Sequence, residues 1–81
     1  MTIPEIVMNE LERITGTDQV RKNPAINLYD EGLLDSFSTI ELMVSLGQLF
    51  NVTISPASFE RSHWETPQKV VADITARLNQ Y

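Results

Sequence analysis

Apolar side chains recur at helical spacing in several stretches of this 81-residue chain. The first stretch begins at Thr2, which forms a capping-box pattern with Glu5, and it stops at Gly16, a residue typical of the position just past a helix. Its apolar positions share one face of a helix, namely Ile3, Ile6, Val7, Leu11 and Ile14. This pattern predicts a first amphipathic helix between Thr2 and Gly16.

A long connection follows, from residue 17 to about residue 35. Asn23-Pro24 and Gly32 interrupt any helical period within it. Its apolar residues are too many for a free linker and predict that the loop packs against the core: Ile26, Leu28, Tyr29, Leu33 and Leu34. Long connections of this kind in compact domains are often functional.

The second helix is predicted from near Asp35 or Ser36 to about Asn51, and it is the most apolar of the chain. Two signals compete for its start. Asp35 or Ser36 can cap it directly, while Ser38 with Glu41 forms a second capping box. One face is predicted to hold Ile40, Met43, Val44, Gly47 and Phe50, widened by Leu42, Leu46 and Leu49. We expect this helix to be central.

Two proline residues mark the starts of the remaining helices. Ser55-Pro56 predicts a short third helix that runs through Phe59 and ends near Ser62, and Thr66-Pro67 predicts a fourth. The fourth has an amphipathic face of Val70, Val71, Ile74 and Leu78. No segment alternates well enough to propose a sheet. The sequence therefore predicts an all-α four-helix bundle with a long first loop and a short third helix, as one domain of residues 1–81.

The aromatic segment between the third and fourth helices is interpreted as structural. We expect Phe59 in the core and Trp64 as a cover over the bundle between these two helices. His63 is expected at the surface rather than as a ligand. It is the single histidine, and the chain has no cysteine, so disulfides, thiolate or histidine-rich metal sites and a cysteine nucleophile are excluded.

The charge pattern restricts the partners. The net charge of −5 makes nucleic acid an unfavourable partner. No Lys or Arg lies between Lys22 and Arg61, whereas this span holds Asp30, Glu31, Asp35, Glu41 and Glu60. The negative charge of this span favours basic protein partners. It is equally explained as an acidic surface that maintains solubility. Neither a signal peptide nor a membrane-spanning run is visible, so a cytoplasmic location is expected. Nothing in the sequence indicates an obligate dimer, so a monomer is expected.

Ser36 is the candidate for chemistry. A phosphate ester on a serine at the first turn of a helix is stabilised by the positive end of the helix dipole. The neighbouring Asp35 suits a Mg²⁺ shared with a phosphate donor. The ordinary role of such a serine is only to cap the helix. A serine hydrolase is excluded because the only histidine, His63, lies in no nucleophile motif. A calcium-binding loop from Asp30 to Glu41 is excluded because the residues at its inner positions do not match the required ligand pattern.

The run Gly32-Leu33-Leu34-Asp35-Ser36, with Glu41 downstream, resembles the attachment motif of phosphopantetheine carrier proteins. Proteins of that superfamily are four-helix bundles of about this length, so the resemblance spans nearly the whole chain. It implies that a phosphopantetheinyl transferase places 4′-phosphopantetheine from coenzyme A on Ser36. The thiol of that arm would carry the cargo, and the chain itself would not be an enzyme. Phe37, where fatty-acid carriers most often have leucine, indicates a specialised branch.

Two separate segments resemble the D-alanyl carrier proteins of Gram-positive bacteria: residues 27–36, before and including the serine, and residues 59–67, with their Phe, Trp and Thr-Pro. This resemblance implies a ligase that loads D-alanine on the arm, and membrane-bound proteins that transfer it to teichoic acids. Two alternatives stay open. One is a carrier for a fatty, polyketide or peptide cargo, and the other is a bundle that only binds proteins.

The same resemblance implies that partners contact the second helix and the loop before it, at Asp35, Phe37, Glu41, Met43 and Val44. For Met43 and Val44, packing in the core is an equal alternative. For Glu41, the equal alternative is a role in capping the helix.

Overall fold

Four α-helices and two 3-10 helices form the computed structural model, which describes residues 2–79 apart from the side chain of Ser58. The α-helices are α1 (Ile3–Thr15), α2 (Gln19–Lys22), α3 (Ser36–Phe50) and α4 (Pro67–Leu78). The 3-10 helices are Pro56–Ser58 and Arg61–Trp64. No strand occurs within residues 2–79, and the predicted all-α bundle is confirmed. Met1, Gln80 and Tyr81, which the predicted domain includes, lie outside the described residues.

Helix α1 has the ends that the sequence predicts. Thr2 Oγ1 accepts a hydrogen bond from the backbone N–H of Glu5 at 3.3 Å. Gly16 adopts the left-handed conformation with φ 74°, and its N–H donates to the Glu12 carbonyl at 2.8 Å. Val7 and Leu11 are fully buried, so the predicted apolar face meets the core.

The long connection packs on the core, as predicted, but it contains a short helix that the sequence did not indicate. In α2, Val20 is fully buried, and Arg21 Nε donates to Glu12 Oε1 of α1 at 2.6 Å. Further along, Leu28 and Leu34 are buried, and the backbone N–H of Leu28 donates to the Glu65 carbonyl at 2.7 Å. The loop is therefore bound to the helices on both sides of it.

Helix α3 is central, as predicted, but only part of its predicted apolar face is buried. Its buried residues are Thr39, Leu42, Met43 and Leu46. Ile40, Val44 and Leu49 are exposed by 45%, 57% and 53%. Apolar residues surround this helix on most sides, so their period could not indicate which side meets the core. Ile40 of the predicted apolar face therefore lies outside the core. Val44, for which the sequence left core packing and partner contact as equal alternatives, is exposed rather than packed in the core.

The predicted short third helix is two 3-10 helices separated by extended backbone at Phe59 (φ −85°, ψ 140°) and Glu60 (φ −124°, ψ 140°). This break lets Phe59 pack edge to face on Trp64, with their ring centroids 4.8 Å apart. Trp64 is fully buried and His63 is exposed, as expected, whereas Phe59 is only partly buried and packs against the core.

Helix α4 begins as predicted, with Thr66 Oγ1 accepting from the backbone N–H of Lys69 at 3.2 Å. Val70 and Ile74 of its predicted face are fully buried. The core that these helices share is made of Val7, Leu11, Val20, Leu28, Leu34, Leu42, Met43, Leu46, Val52, Ile54, Trp64, Val70 and Ile74. Within residues 2–79, no helix combines the length and apolar character needed to cross a membrane.

Candidate functional site

Ser36 is the first residue of α3 and is exposed. The cap of this helix is its neighbour Asp35, whose Oδ1 accepts from the backbone N–H of Ser38 at 2.8 Å. In return, Ser38 Oγ accepts from the backbone N–H of Asp35 at 2.8 Å. The helix thus starts with a reciprocal capping box of Asp35 and Ser38, and not with the Ser38 and Glu41 pair. Ser36 is not the capping residue, so its hydroxyl is not used to start the helix.

A guanidinium group lies beside this hydroxyl. Arg61 Nη2 donates a hydrogen bond to Ser36 Oγ at 2.9 Å. The Arg61 Cζ also lies 4.7 Å from the centroid of the Tyr29 ring, a cation–π arrangement. Arg61 belongs to the second 3-10 helix and is 25 residues from Ser36 in the chain. Sequence reasoning missed it as a site residue, although Arg61 is the first basic residue after the acidic span.

Tyr29 is itself fixed by a chain of hydrogen bonds to the start of α3. Its hydroxyl is 2.9 Å from Thr39 Oγ1. The Thr39 hydroxyl donates to the Asp35 carbonyl at 2.6 Å. The long loop, the first turn of α3 and the 3-10 helix of Arg61 are therefore connected directly at the site.

The carboxylate next to Ser36 is held in its charged form. The pKa of Asp35 is lowered, first because its carboxylate accepts the hydrogen bond from the backbone N–H of Ser38, and second because it accepts from the Ser38 hydroxyl. The positive charge of Arg61 adds a smaller effect in the same direction. The Ser36 hydroxyl thus accepts a hydrogen bond from a guanidinium, and the residue before Ser36 in the chain has an anionic carboxylate.

A shallow depression of about 180 Å³ opens beside Ser36, between α3 and the segment after it. We call it the Ser36 groove, and its lining residues are Ser36, Thr39, Ile40, Met43, Pro56, Phe59 and Arg61. The groove joins a hydroxyl and a guanidinium at one end to apolar side chains along its length. This combination fits a phosphodiester attached at Ser36 and a slender organic arm that extends from it.

The residues predicted to contact partners lie around the start of α3. Asp35, Phe37, Glu41 and Val44 are exposed, and Phe37 is exposed by 86%. Met43 is exposed by only 5% and packs in the core, the alternative that the sequence left open for it. Ile40, which the sequence assigned to the inner side, lies one turn from Phe37 and Val44 and extends the exposed apolar surface.

Comparison with known proteins agrees with the geometry. The family described as "Phosphopantetheine attachment site" matches residues 5–74. The D-alanyl carrier protein of Enterococcus faecalis is 41% identical over 76 residues, which cover 94% of this chain and 97% of that protein. The D-alanyl carrier proteins of Listeria monocytogenes and Bacillus velezensis are 38% and 37% identical, over 94% and 93% of this chain and 97% and 96% of their own lengths. The chain therefore belongs to the phosphopantetheine carrier family and, within it, to the D-alanyl carrier proteins.

Proposed function

We propose that Ser36 holds the 4′-phosphopantetheine arm and that the chain carries D-alanine on it as a thioester. In this proposal a D-alanine ligase loads the arm in the cytoplasm, and membrane-bound proteins transfer the D-alanyl group to teichoic acids. The observation that carries the proposal is the exposed Ser36 hydroxyl at the first turn of α3, which Arg61 reaches at 2.9 Å.

Proteins of this family hold 4′-phosphopantetheine covalently and are not catalytic themselves. The group supplies the thiol that this chain lacks, because its sequence contains no cysteine. The contribution of the chain is to present Ser36 Oγ, which bonds to phosphorus as the pyrophosphate bond of coenzyme A breaks. The hydroxyl proton leaves to the transferase, and adenosine 3′,5′-bisphosphate is the leaving group.

The residues around Ser36 suit this reaction. The N-terminus of α3 and the Arg61 guanidinium both favour negative charge on an ester at Ser36. The lowered pKa of Asp35 keeps a carboxylate available to a Mg²⁺ that the transferase holds with its phosphate donor. The exposed position of Ser36 leaves room for the transferase to approach.

Two observations support D-alanine as the cargo. The relatives that match over almost their whole length have the name D-alanyl carrier protein. In addition, the depressions beside α3 are open to solvent, whereas the core residues Leu42 and Leu46 are fully buried and line neither of them. A long acyl chain gains from an enclosed apolar cleft, whereas a small charged amino acid remains hydrated outside the bundle.

A carrier works with a ligase that loads it and a transferase that acts on it. For this chain we assign the contact surface to Asp35, Phe37, Glu41 and Val44, with Met43 supporting it from below. The exposed carboxylates on and before α3 favour basic surfaces on these partners. We expect the carrier to act as a monomer, since each copy contains its own Ser36 and contact surface.

Intact-mass measurement tests the attachment. After incubation with coenzyme A and a phosphopantetheinyl transferase, we expect the wild-type chain to gain the mass of one phosphopantetheine. Ser36→Ala should gain nothing while its circular dichroism is unchanged. Ser62→Ala, which removes another exposed serine near the site, should be modified like the wild type. Full modification of Ser36→Ala contradicts the assignment to Ser36.

A second assay tests the cargo. The modified protein is incubated with ATP, D-alanine and the cognate D-alanine ligase, and the mass of the adduct is measured before and after hydroxylamine. We expect a D-alanyl adduct that hydroxylamine removes, because a thioester is cleaved by this nucleophile. If the modified chain accepts a fatty, polyketide or peptide group and never D-alanine, the alternative of a carrier for another cargo is the correct one.

A further inference from the structure

We infer that Arg61 binds the phosphate of the attached arm and directs the arm into the Ser36 groove. This inference rests on the proposed attachment at Ser36 and assigns a binding role to a residue outside the attachment motif. It gives the second 3-10 helix a direct part in holding the prosthetic group.

Arg61 lies where it can reach a phosphate on Ser36. Arg61 Nη2 lies 2.9 Å from Ser36 Oγ, the atom to which phosphorus bonds on modification. A guanidinium has five N–H donors in one plane, and the contact with Ser36 requires one of them. The non-bridging phosphate oxygens are joined through phosphorus to the oxygen that Arg61 already contacts. A small movement of the side chain therefore lets Arg61 donate to them, in the paired geometry that guanidinium and phosphate favour.

The Arg61 side chain is already oriented before the arm is attached. The Arg61 guanidinium lies over the Tyr29 ring, 4.7 Å from its centroid. Tyr29 is held by its hydroxyl, which is 2.9 Å from Thr39 Oγ1 on α3. This stacking restricts a long side chain that would otherwise lose entropy when it binds. Lysine, a compact charge with no planar face, would not make the same stacked contact.

Arg61 also brings a positive charge to acidic surroundings. Arg61 is the single Lys or Arg between Lys22 and Lys69, a span that is otherwise acidic. Modification adds a negatively charged phosphodiester one residue from the Asp35 carboxylate. The dipole of α3 offsets part of this repulsion. A full positive charge within hydrogen-bond distance of the ester oxygen offsets more of it, because Coulomb energy increases as the distance decreases.

The Ser36 groove offers a path for the arm beyond the phosphate. Arg61 lines the Ser36 groove together with Ile40, Pro56 and Phe59. Because Arg61 forms part of the wall of this groove, a phosphate that it holds lies at the groove. The start of the arm then lies over the groove, while its thiol end stays in solvent for the ligase.

Nuclear magnetic resonance of the modified protein tests this role. We compare modified wild type with Arg61→Gln, Arg61→Lys and a matched control, Arg21→Gln, which removes an equal charge from an arginine paired with Glu12. In Arg61→Gln we expect the ³¹P shift of the phosphodiester to move towards that of free 4′-phosphopantetheine, and the pantetheine methyl signals to sharpen. Arg61→Lys should fall between the two, and Arg21→Gln should match the wild type. Added salt should move the wild-type ³¹P shift towards that of Arg61→Gln.

The outcomes separate this inference from the proposed function. A wild-type chain that gains no phosphopantetheine mass overturns both. Full modification with the same ³¹P shift and methyl line widths in Arg61→Gln and wild type overturns the role of Arg61 and leaves the attachment at Ser36 intact. If Arg61→Gln changes only the thermal stability of the chain, Arg61 is structural and the inference is wrong.

Discussion

The indole Nε1–H of Trp64 donates a hydrogen bond to Asp73 Oδ2 at 2.8 Å, which joins the second 3-10 helix to α4. Arg77 Nε donates to the same carboxylate oxygen at 2.9 Å. Trp64 ends the 3-10 helix in which Arg61 lies. This part-buried contact therefore holds the segment that brings a guanidinium to Ser36.

Removing the acceptor of this bond should destabilise the fold. Asp73→Ala leaves the fully buried Trp64 with an indole N–H that has lost its partner, a loss of about 1–3 kcal/mol in the free energy of unfolding. Arg77→Ala keeps the Trp64 bond and should have a smaller effect. Urea unfolding of both variants measures the difference. Equal stabilities for Asp73→Ala and Arg77→Ala would contradict the importance of the indole bond.

Gly47→Ala should destabilise α3 although alanine is the better helix former. A Cβ at this position would lie 2.9 Å from the backbone carbonyl oxygen of Val52, which is not free to move away. We expect the overpacking to cost about 1–3 kcal/mol, more than the gain of about 1 kcal/mol in helix propensity. Thermal unfolding measures the net effect. Gln48→Ala, at an exposed neighbouring position, is the control and should change little.

Acid should destabilise the protein through Glu10 and Asp35. The pKa of Glu10 is lowered from 4.5, first by its hydrogen bond with Arg13 and also by one from Ser45, while burial opposes the shift. The pKa of Asp35 is lowered from 3.8, chiefly because its carboxylate accepts hydrogen bonds from Ser38. For both carboxylates the pKa in the folded state lies below the pKa in the unfolded state. The two carboxylates therefore stabilise the fold fully above pH 4.5, and this stabilisation is lost as the pH falls through their folded-state pKa values.

Melting temperatures measured from neutral to acidic pH check this dependence. Glu10→Gln should give a flatter curve than the wild type below about pH 4.5, because it has one fewer carboxylate to protonate. Asp35→Asn keeps a good capping residue and removes the titration, whereas Asp35→Ala removes both. We therefore expect Asp35→Ala to be less stable than Asp35→Asn at neutral pH. A wild-type curve parallel to that of Glu10→Gln would rule out the contribution of Glu10.

Phe37 and Leu42 lie five residues apart on α3, and substitutions at the two positions should differ in their effect on stability. Phe37 is largely exposed, so Phe37→Ser should change stability by less than about 0.5 kcal/mol. It should nevertheless raise the KM of the ligase for the modified carrier. Leu42 is fully buried, and Leu42→Ala should cost about 2–5 kcal/mol. Unchanged ligase kinetics for Phe37→Ser would show that partners do not contact this side chain.

Glu41→Lys should slow both modification and loading, and more strongly at low ionic strength. Glu41 Oε1 lies 3.8 Å from Arg13 Nη1, and both side chains are more than half exposed, so the pair adds little to stability. Glu41 is one turn of α3 beyond Phe37, where basic partner surfaces are expected to approach. Rates measured against salt concentration test this.

Glu5→Lys is the matched control for Glu41→Lys. It makes the same charge change on α1, about two helical turns from Arg13, the α1 residue that approaches Glu41. We expect its modification rate to stay close to that of the wild type. A similar loss of rate in both variants would indicate that only the net charge of the chain matters and that the position of Glu41 does not.

Much of this fold was predictable from the sequence because its signals are local. The caps at Thr2 and Thr66 and the left-handed Gly16 involve residues within four positions of each other, so their effect does not depend on the rest of the fold. Ser36 could also be proposed as the attachment site from the sequence, since an aspartate and a serine before an apolar helix form a continuous motif.

The tertiary structure alone decided which side of α3 is buried, because apolar residues occupy most sides of that helix and packing against α1 and the long loop selects among them. It also decided the break at Phe59 and Glu60, where burial of two aromatic rings outweighs the continuation of a helix. Arg61 meets Ser36 across 25 residues of chain, through a contact that no local pattern encodes. Short-range hydrogen bonds are specified by neighbouring residues, whereas contacts between distant segments depend on how the whole core packs.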